Sequence, residues 1–345
     1  MAVIVDDSLE NYADVLDRFK DKRPALLLGN GASRAVWDDF KYPSLFDKAC
    51  DANRPFCLSE DDIDVFRELD DTHNFELVLS SLMTSKRINE IFRMPTVEIT
   101  NSYYNIRQAL FSAVGEIHVP YALIKPKTKR AIKAELSNYR TIFTTNYDLL
   151  AYWSYMEESS PFKDFFWGDD NIFDPGNTSL WDDKTTILYL HGALHLYKEK
   201  GGHTRKHVTE EDGDSLLELI RKSDQIPLFV SEGHWKDKRA AILANDYLAF
   251  AYRTFSQNRI NLVVFGQALN QEFDKHIVDS IHKMRGWNNL ASAAFEIAIS
   301  IFPEDSYDVI EIKRRLLKAF PNKTLYFYDS RTHPLGNSAL RVGRS

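Results

Sequence analysis

The sequence predicts an α/β fold: a Rossmann-like parallel sheet with helices on both faces and a helical insertion. Three apolar runs carry this reading, Ala25-Leu26-Leu27-Leu28, Thr141-Ile142-Phe143 and Ile187-Leu188-Tyr189-Leu190. Each ends directly in a polar motif: Gly29-Asn30-Gly31-Ala32-Ser33, Thr144-Thr145-Asn146-Tyr147-Asp148 and His191-Gly192. A short apolar run closed by glycine or polar residues reads as a buried parallel strand. Ligands of open α/β sheets bind beyond the carboxyl ends of such strands. Three polar motifs at three strand ends therefore point to one crevice, suited to a nucleotide.

The elements follow in order. Leu9, Tyr12, Val15, Leu16 and Phe19 recur at helical spacing over 8–21, and Pro24 ends that helix before the first strand. Residues 44–52 read as a short helix. From 59 to 137 no strand is expected. Helical spacing appears around Ile63-Phe66-Leu69, Phe75–Leu82 and Ile106-Leu110-Val114, punctuated by Pro95, Pro120 and Pro126. The α/β alternation resumes with strands at 140–144, 186–190, 227–231, 261–265, 295–301 and 323–328, and helices near 236–256, 270–284 and 306–319. Residues 157–184 and 199–214 read as loops, the second ending in the acidic run Glu210–Asp214. The expected organisation is one domain over 1–345, with a core from 1–58 and 138–345 and the helical insertion 59–137.

Composition bounds the function. The 345 residues are 44% hydrophobic and 13% aromatic, as in a globular chain. There is no apolar stretch long enough for a spanning helix, and the first residues are acidic where a signal peptide is basic. A cytoplasmic protein without membrane association is expected. Two cysteines, Cys50 and Cys57, are too few for a disulfide scaffold or a four-cysteine zinc site. His191 and His195 form an H-x-x-x-H pair without a further ligand, so no metal is expected. A net charge of −7 gives little attraction for nucleic acid, and no direct binding to it is expected.

The trio of glycine-alanine-serine turn, Thr-x-Asn-x-Asp strand end and His-Gly pair resembles the sirtuin (silent information regulator) superfamily. Leu262–Leu269, with Gly266-Gln267, is similar to its late strand and ribose-binding turn. The phrase Pro227–Gly233 with Asp246-Tyr247-Leu248 resembles a bacterial, zinc-less branch that includes phage-defence proteins. This chain departs from the deacylases: it lacks their four zinc cysteines, has Thr145 for their glutamine, and reads Gly29-Asn30-Gly31 for their Gly-Ala-Gly.

The resemblance implies an NAD glycohydrolase that yields ADP-ribose and nicotinamide, a gated effector of anti-phage defence acting by NAD depletion. NAD is then the substrate and no metal is needed. Asn146 and His191 become the catalytic pair. Asn146 would orient the ribose hydroxyls or the attacking water. His191, with an ordinary pKa of about 6.5, would serve as base. Gly29, Asn30, Gly31, Ala32 and Ser33 would hold the diphosphate, Asp148 the nicotinamide amide, and Thr145, Gly266 and Gln267 the rest of the cofactor. Gating implies a homo-oligomer, or a regulatory or sensor protein partner. Competing readings are a sensor that binds NAD or ADP-ribose without turnover, and a protein deacylase or ADP-ribosyltransferase.

Overall fold

The computed structural model describes residues 5–19, 23–53, 56–156, 161–176, 184–199, 201–208, 213–222, 225, 227–230, 234–286, 295–304 and 306–343. Its strands are β1 Ala25–Leu28, β2 Thr141–Thr144, β3 Phe162–Lys163, β4 Thr185–Tyr189, β5 Gly192–Lys198, β6 Thr204–Lys206, β7 Pro227–Phe229, β8 Leu262–Phe265, β9 Glu296–Ile301 and β10 Thr324–Asp329. The early helices are α1 Tyr12–Arg18, α2 Asn30–Val36, α3 Tyr42–Ala49, α4 Glu60–Glu68, α5 Phe75–Phe92, α6 Val97–Ile117 and α7 Pro126–Leu136. After β2 follow α8 Leu150–Tyr155, α9 Gly213–Lys222, α10 Trp235–Leu243, α11 Asp246–Ser256, α12 Lys275–Lys283 and α13 Ser306–Ala319.

Seven strands form one parallel sheet in the order β10-β9-β8-β1-β2-β4-β3, flanked by helices. This is the Rossmann-like α/β architecture. β1 and β8 are wholly buried, which is why they read as continuous apolar runs. The chain leaves β1 towards β2 and β4 on one side and returns as β8 and β9 on the other. The order therefore switches between β1 and β8, where open sheets make their crevice.

Between β1 and β2 the described residues are helical, without a strand. Local signals start these helices. Ser59 and Asp62 form a reciprocal capping box at α4. The Asn74 side chain accepts from the first amides of α5, and Pro126 stands in the first turn of α7. α6 packs on α3 and α5, burying Ile106, Ala109, Ala113 and Val114 along one stripe.

Some sequence expectations need correction. β7 is not a strand of the main sheet. It pairs antiparallel with β5, in a separate sheet ordered β6-β5-β7. β3, β5 and β6 fall where no strand was expected: β3 interrupts the expected loop 157–184 and joins the edge of the main sheet, and β6 interrupts the expected loop 199–214. The expected helix 236–256 is two helices, because Asn245 caps α11 through its bond from the Leu248 amide. The expected helix 270–284 begins only at Lys275. Residues 20–21, 157–160, 177–183, 209–212 and 231–233, within expected elements, lie outside the described residues. Among the described residues, no helix is long and apolar enough to cross a membrane.

Candidate functional site

Register aligns the polar motifs. Leu28 pairs with Thr144 on one side and Phe265 on the other, and Thr144 with Tyr189. The ladder continues one step beyond the strands: Gly29 N–H donates to Phe265 O at 2.9 Å, Thr145 N–H to Leu28 O at 3.0 Å, and Leu190 N–H to Thr144 O at 2.8 Å. Gly266, Gly29, Thr145 and Leu190 thus form a row along the carboxyl edge. Asn146 and His191 each follow that row by one residue.

On one side of the row lies a cluster of an amide, a hydroxyl and a carboxyl. Asn146 Nδ2 donates to Ser33 Oγ at 2.8 Å, and Ser33 Oγ–H donates to Asp148. The second Asp148 oxygen accepts from the Leu150 amide at 2.9 Å. Burial pushes the Asp148 carboxyl up, against those two hydrogen bonds. With the carboxylate ionised, the chain runs one way and fixes the Asn146 amide, leaving its Oδ1 outward. That oxygen is buried and, among the described residues, has no hydrogen-bond partner. Ser33, Asn146 and Asp148 line a cavity of about 30 Å³ together with Leu28, Ile132 and Leu136. Such a space holds about two water molecules. Part of its lining comes from α7, the last helix before β2.

On the other side lies a charged cluster. Thr145 Oγ1 donates to Gln267 Oε1 at 2.7 Å, and Gln267 Nε2 donates to Asp274 at 2.8 Å. Asp274 is 3.8 Å from the buried Lys238 ammonium, which also binds Glu76 of α5 at 2.7 Å. Burial raises the Asp274 carboxyl, while Lys238 pulls it back. Next to this chain, His191 Nε2 meets His276 Nε2 at 2.9 Å. Burial drives the His191 pKa well below its ordinary range, helped by His276 and Lys238. His276 falls to about 3, again mainly from burial. Burial thus works against the expected titration of His191 near neutrality and favours the neutral form of both rings.

The remaining predicted positions divide by role. A Cβ on Gly31 would lie 2.7 Å from Gly266 Cα, and one on Gly266 2.6 Å from the Ala32 nitrogen. Gly266 also has φ +70°, which favours glycine. The two turns interlock, so their glycines are required by each other before any ligand. The Gly31 amide is already bonded to Gly266 O at 2.9 Å. Asn30 Nδ2 donates to Phe40 O at 3.0 Å and thereby anchors the segment leading into α3. Tyr147 stacks on Phe229 and donates to Val230 O at 2.6 Å, facing the small sheet. His195 stacks on Tyr152, so the H-x-x-x-H pair does not converge.

A family model described as "Domain of unknown function (DUF4917)" matches residues 26–333. The chain belongs to that family. The match spans every residue of both clusters. No curated protein matches the chain.

Sequence reasoning missed Glu76, Lys238, Asp274 and His276. Lys238 sits within Lys236-Asp237-Lys238-Arg239, which reads as a solvated helix face although Lys238 is fully buried. Asp274 and His276 had a usable signal: they follow the Gly266-Gln267 turn within ten residues, at a helix start. His118 was also unmarked. Its Nε2 accepts from the Leu149 amide at 2.8 Å, tying the entry to α8 to the end of α6.

Proposed function

We propose that this chain hydrolyses NAD to ADP-ribose and nicotinamide, as the gated effector of an anti-phage defence system. The observation that carries the reading is the buried, unpartnered Asn146 Oδ1 beside the cavity shared with Ser33 and Asp148. A buried acceptor without a partner is costly, and a water or ribose hydroxyl satisfies it. In the reaction, the bond from ribose C1′ to nicotinamide breaks and its electrons stay on nicotinamide, which leaves neutral. Water oxygen bonds to C1′, and one proton passes to solvent. An oxocarbenium-like centre forms on the way, as in glycoside hydrolysis. Asn146 Oδ1 holds the attacking water, and the neutral His191 imidazole contributes from the adjacent strand. Nicotinamide needs no acid to leave, which fits a site where the Asp148 carboxyl beside Asn146 is spent on Ser33 and Leu150.

The small cavity supports the gated form of the reading. A dinucleotide needs several hundred Å³, so the site must open. Ile132 and Leu136 of α7 form part of its lining, and displacement of the helical insertion by a second copy or a regulatory protein would open it there. The test is incubation of purified chain with NAD, as dilute monomer and after assembly or addition of a partner. Release of ADP-ribose and nicotinamide that rises with assembly is expected. Full activity in a dilute monomer removes the gate alone. NAD binding without products replaces hydrolysis by sensing, and transfer to a protein acceptor replaces it by a transferase.

A further inference from the structure

The Nε2 atoms of His191 and His276 lie 2.9 Å apart, so with both rings neutral one donates its proton to the other. Which ring owns it decides what His191 offers at Nδ1, the ring nitrogen left for a ligand. His276 Nδ1 settles the ownership. It is buried and, among the described residues, has no hydrogen-bond partner. A buried N–H without an acceptor is rarer than a buried acceptor without a donor. The His276 proton therefore belongs on Nε2, from which it donates to His191. A neutral His191 then carries its own proton on Nδ1.

We propose that His276 is a positioning residue that holds His191 as a neutral Nδ1–H donor, directed at a ribose oxygen of the substrate, and not as a general base. The ligand in this statement rests on the NAD reading; the tautomer does not. The cations acting on the two rings favour it. The Lys238 ammonium of α10 acts on both rings, and Arg239 acts on His276. Lys238 binds Glu76 of α5 and lies near Asp274, so these carboxylates are turned to the ammonium. His276 also stands in the first turn of α12, at the positive end of its dipole. Protonating either ring would add a buried cation beside a buried cation. A base so reluctant to take a proton is poorly matched to neutral pH, whereas a neutral N–H donor needs no titration.

The experiment is long-range ¹H–¹⁵N NMR of the full chain labelled at histidine, from about pH 5.5 to 8.5. His191 is expected to be protonated at Nδ1 only, without titrating. His276→Gln, whose amide N–H can replace the donor, should keep this state, and His276→Leu should lose the Nδ1 preference. His191 protonated at Nε2 in the parent chain, or titrating in this range, overturns the proposal. Because the parent spectrum decides, an unfolded variant does not obscure the answer. In kinetics, kcat/KM should be flat over the same range. A limb with an apparent pKa of about 6–7 that disappears in His191→Gln would also overturn it. A chain that cleaves no NAD would sink the functional reading and leave the spectrum to judge the tautomer.

Discussion

The two clusters at the carboxyl edge use opposite electrostatics. Around Asn146, an amide, a hydroxyl and a carboxyl form a short chain beside a cavity of about 30 Å³. Around His191, a buried ammonium, two carboxylates and two neutral imidazoles pack together. The first cluster keeps one acceptor open and relies on local neighbours from β1 and β2. The second draws on α5, α10 and α12 and joins the helical insertion to the sheet through Glu76 and Lys238. One leaves a buried acceptor beside a cavity; the other ties charged groups of three helices together.

The largest expected effect sharpens this contrast. Asn146→Ala and His191→Ala should each lower NAD cleavage at least about 100-fold, as loss of a positioned polar group does. Turnover assays alongside thermal melts check it, and parental activity in either variant removes that residue from the reaction. Stability should then separate the clusters. Lys238→Met leaves Asp274 buried without its cation and should cost about 3–5 kcal/mol. Ser33→Ala strands one donor and one acceptor and should cost about 1–3 kcal/mol. Denaturant unfolding of both variants measures the difference. Equal losses would break the comparison.

Interlocking of the turns predicts that Gly266→Ala destabilises by about 1–3 kcal/mol through its positive φ and its contact with Ala32. Gly31→Ala should also destabilise. Unchanged melting of both would show that the turns have more room than the 2.7 Å approach allows.

The smallest effect is a pH slope. Burial holds His191 and His195 well below their ordinary pKa, and His276 and His333 at about 3. Unfolded, these rings bind protons below about pH 6.5, while the folded chain does not. Their contribution is therefore full above that pH and is lost on acidification, by up to about 1.4 kcal/mol per ring per pH unit. Asp148, Glu135 and Asp274 oppose this, because burial raises their pKa values and the folded chain binds their protons first. With His207 also lowered by burial, five histidines against three carboxyls predict a melting temperature that falls from about pH 7.5 to pH 5.5. A melting temperature that rises over this interval contradicts the buried neutral rings.

Part of this site was legible before folding. The runs at β1, β2, β4 and β8 are apolar because both faces of a parallel sheet are covered, and their polar ends mark where the cover stops. Thus Ser33, Thr145, Asn146, Asp148, His191, Gly266 and Gln267 could all be named, as could the helical character of 59–137. Alternation failed for β5, where Ala193, Leu194, His195 and Leu196 are all buried, so no period of two appears.

The chain alone was enough for the class of fold, the edge on which polar residues gather, and the helical character of 59–137. Each depends on neighbours within a few positions or on burial of a whole strand. Only the tertiary structure decided that Gly31 packs on Gly266, that Lys238 is buried against Glu76, and that His191 faces His276. Those pairs are 235, 162 and 85 positions apart in the numbering. No local pattern encodes such contacts, because a charged or imidazole side chain reads the same in solvent as in a pocket until its distant partner is in place.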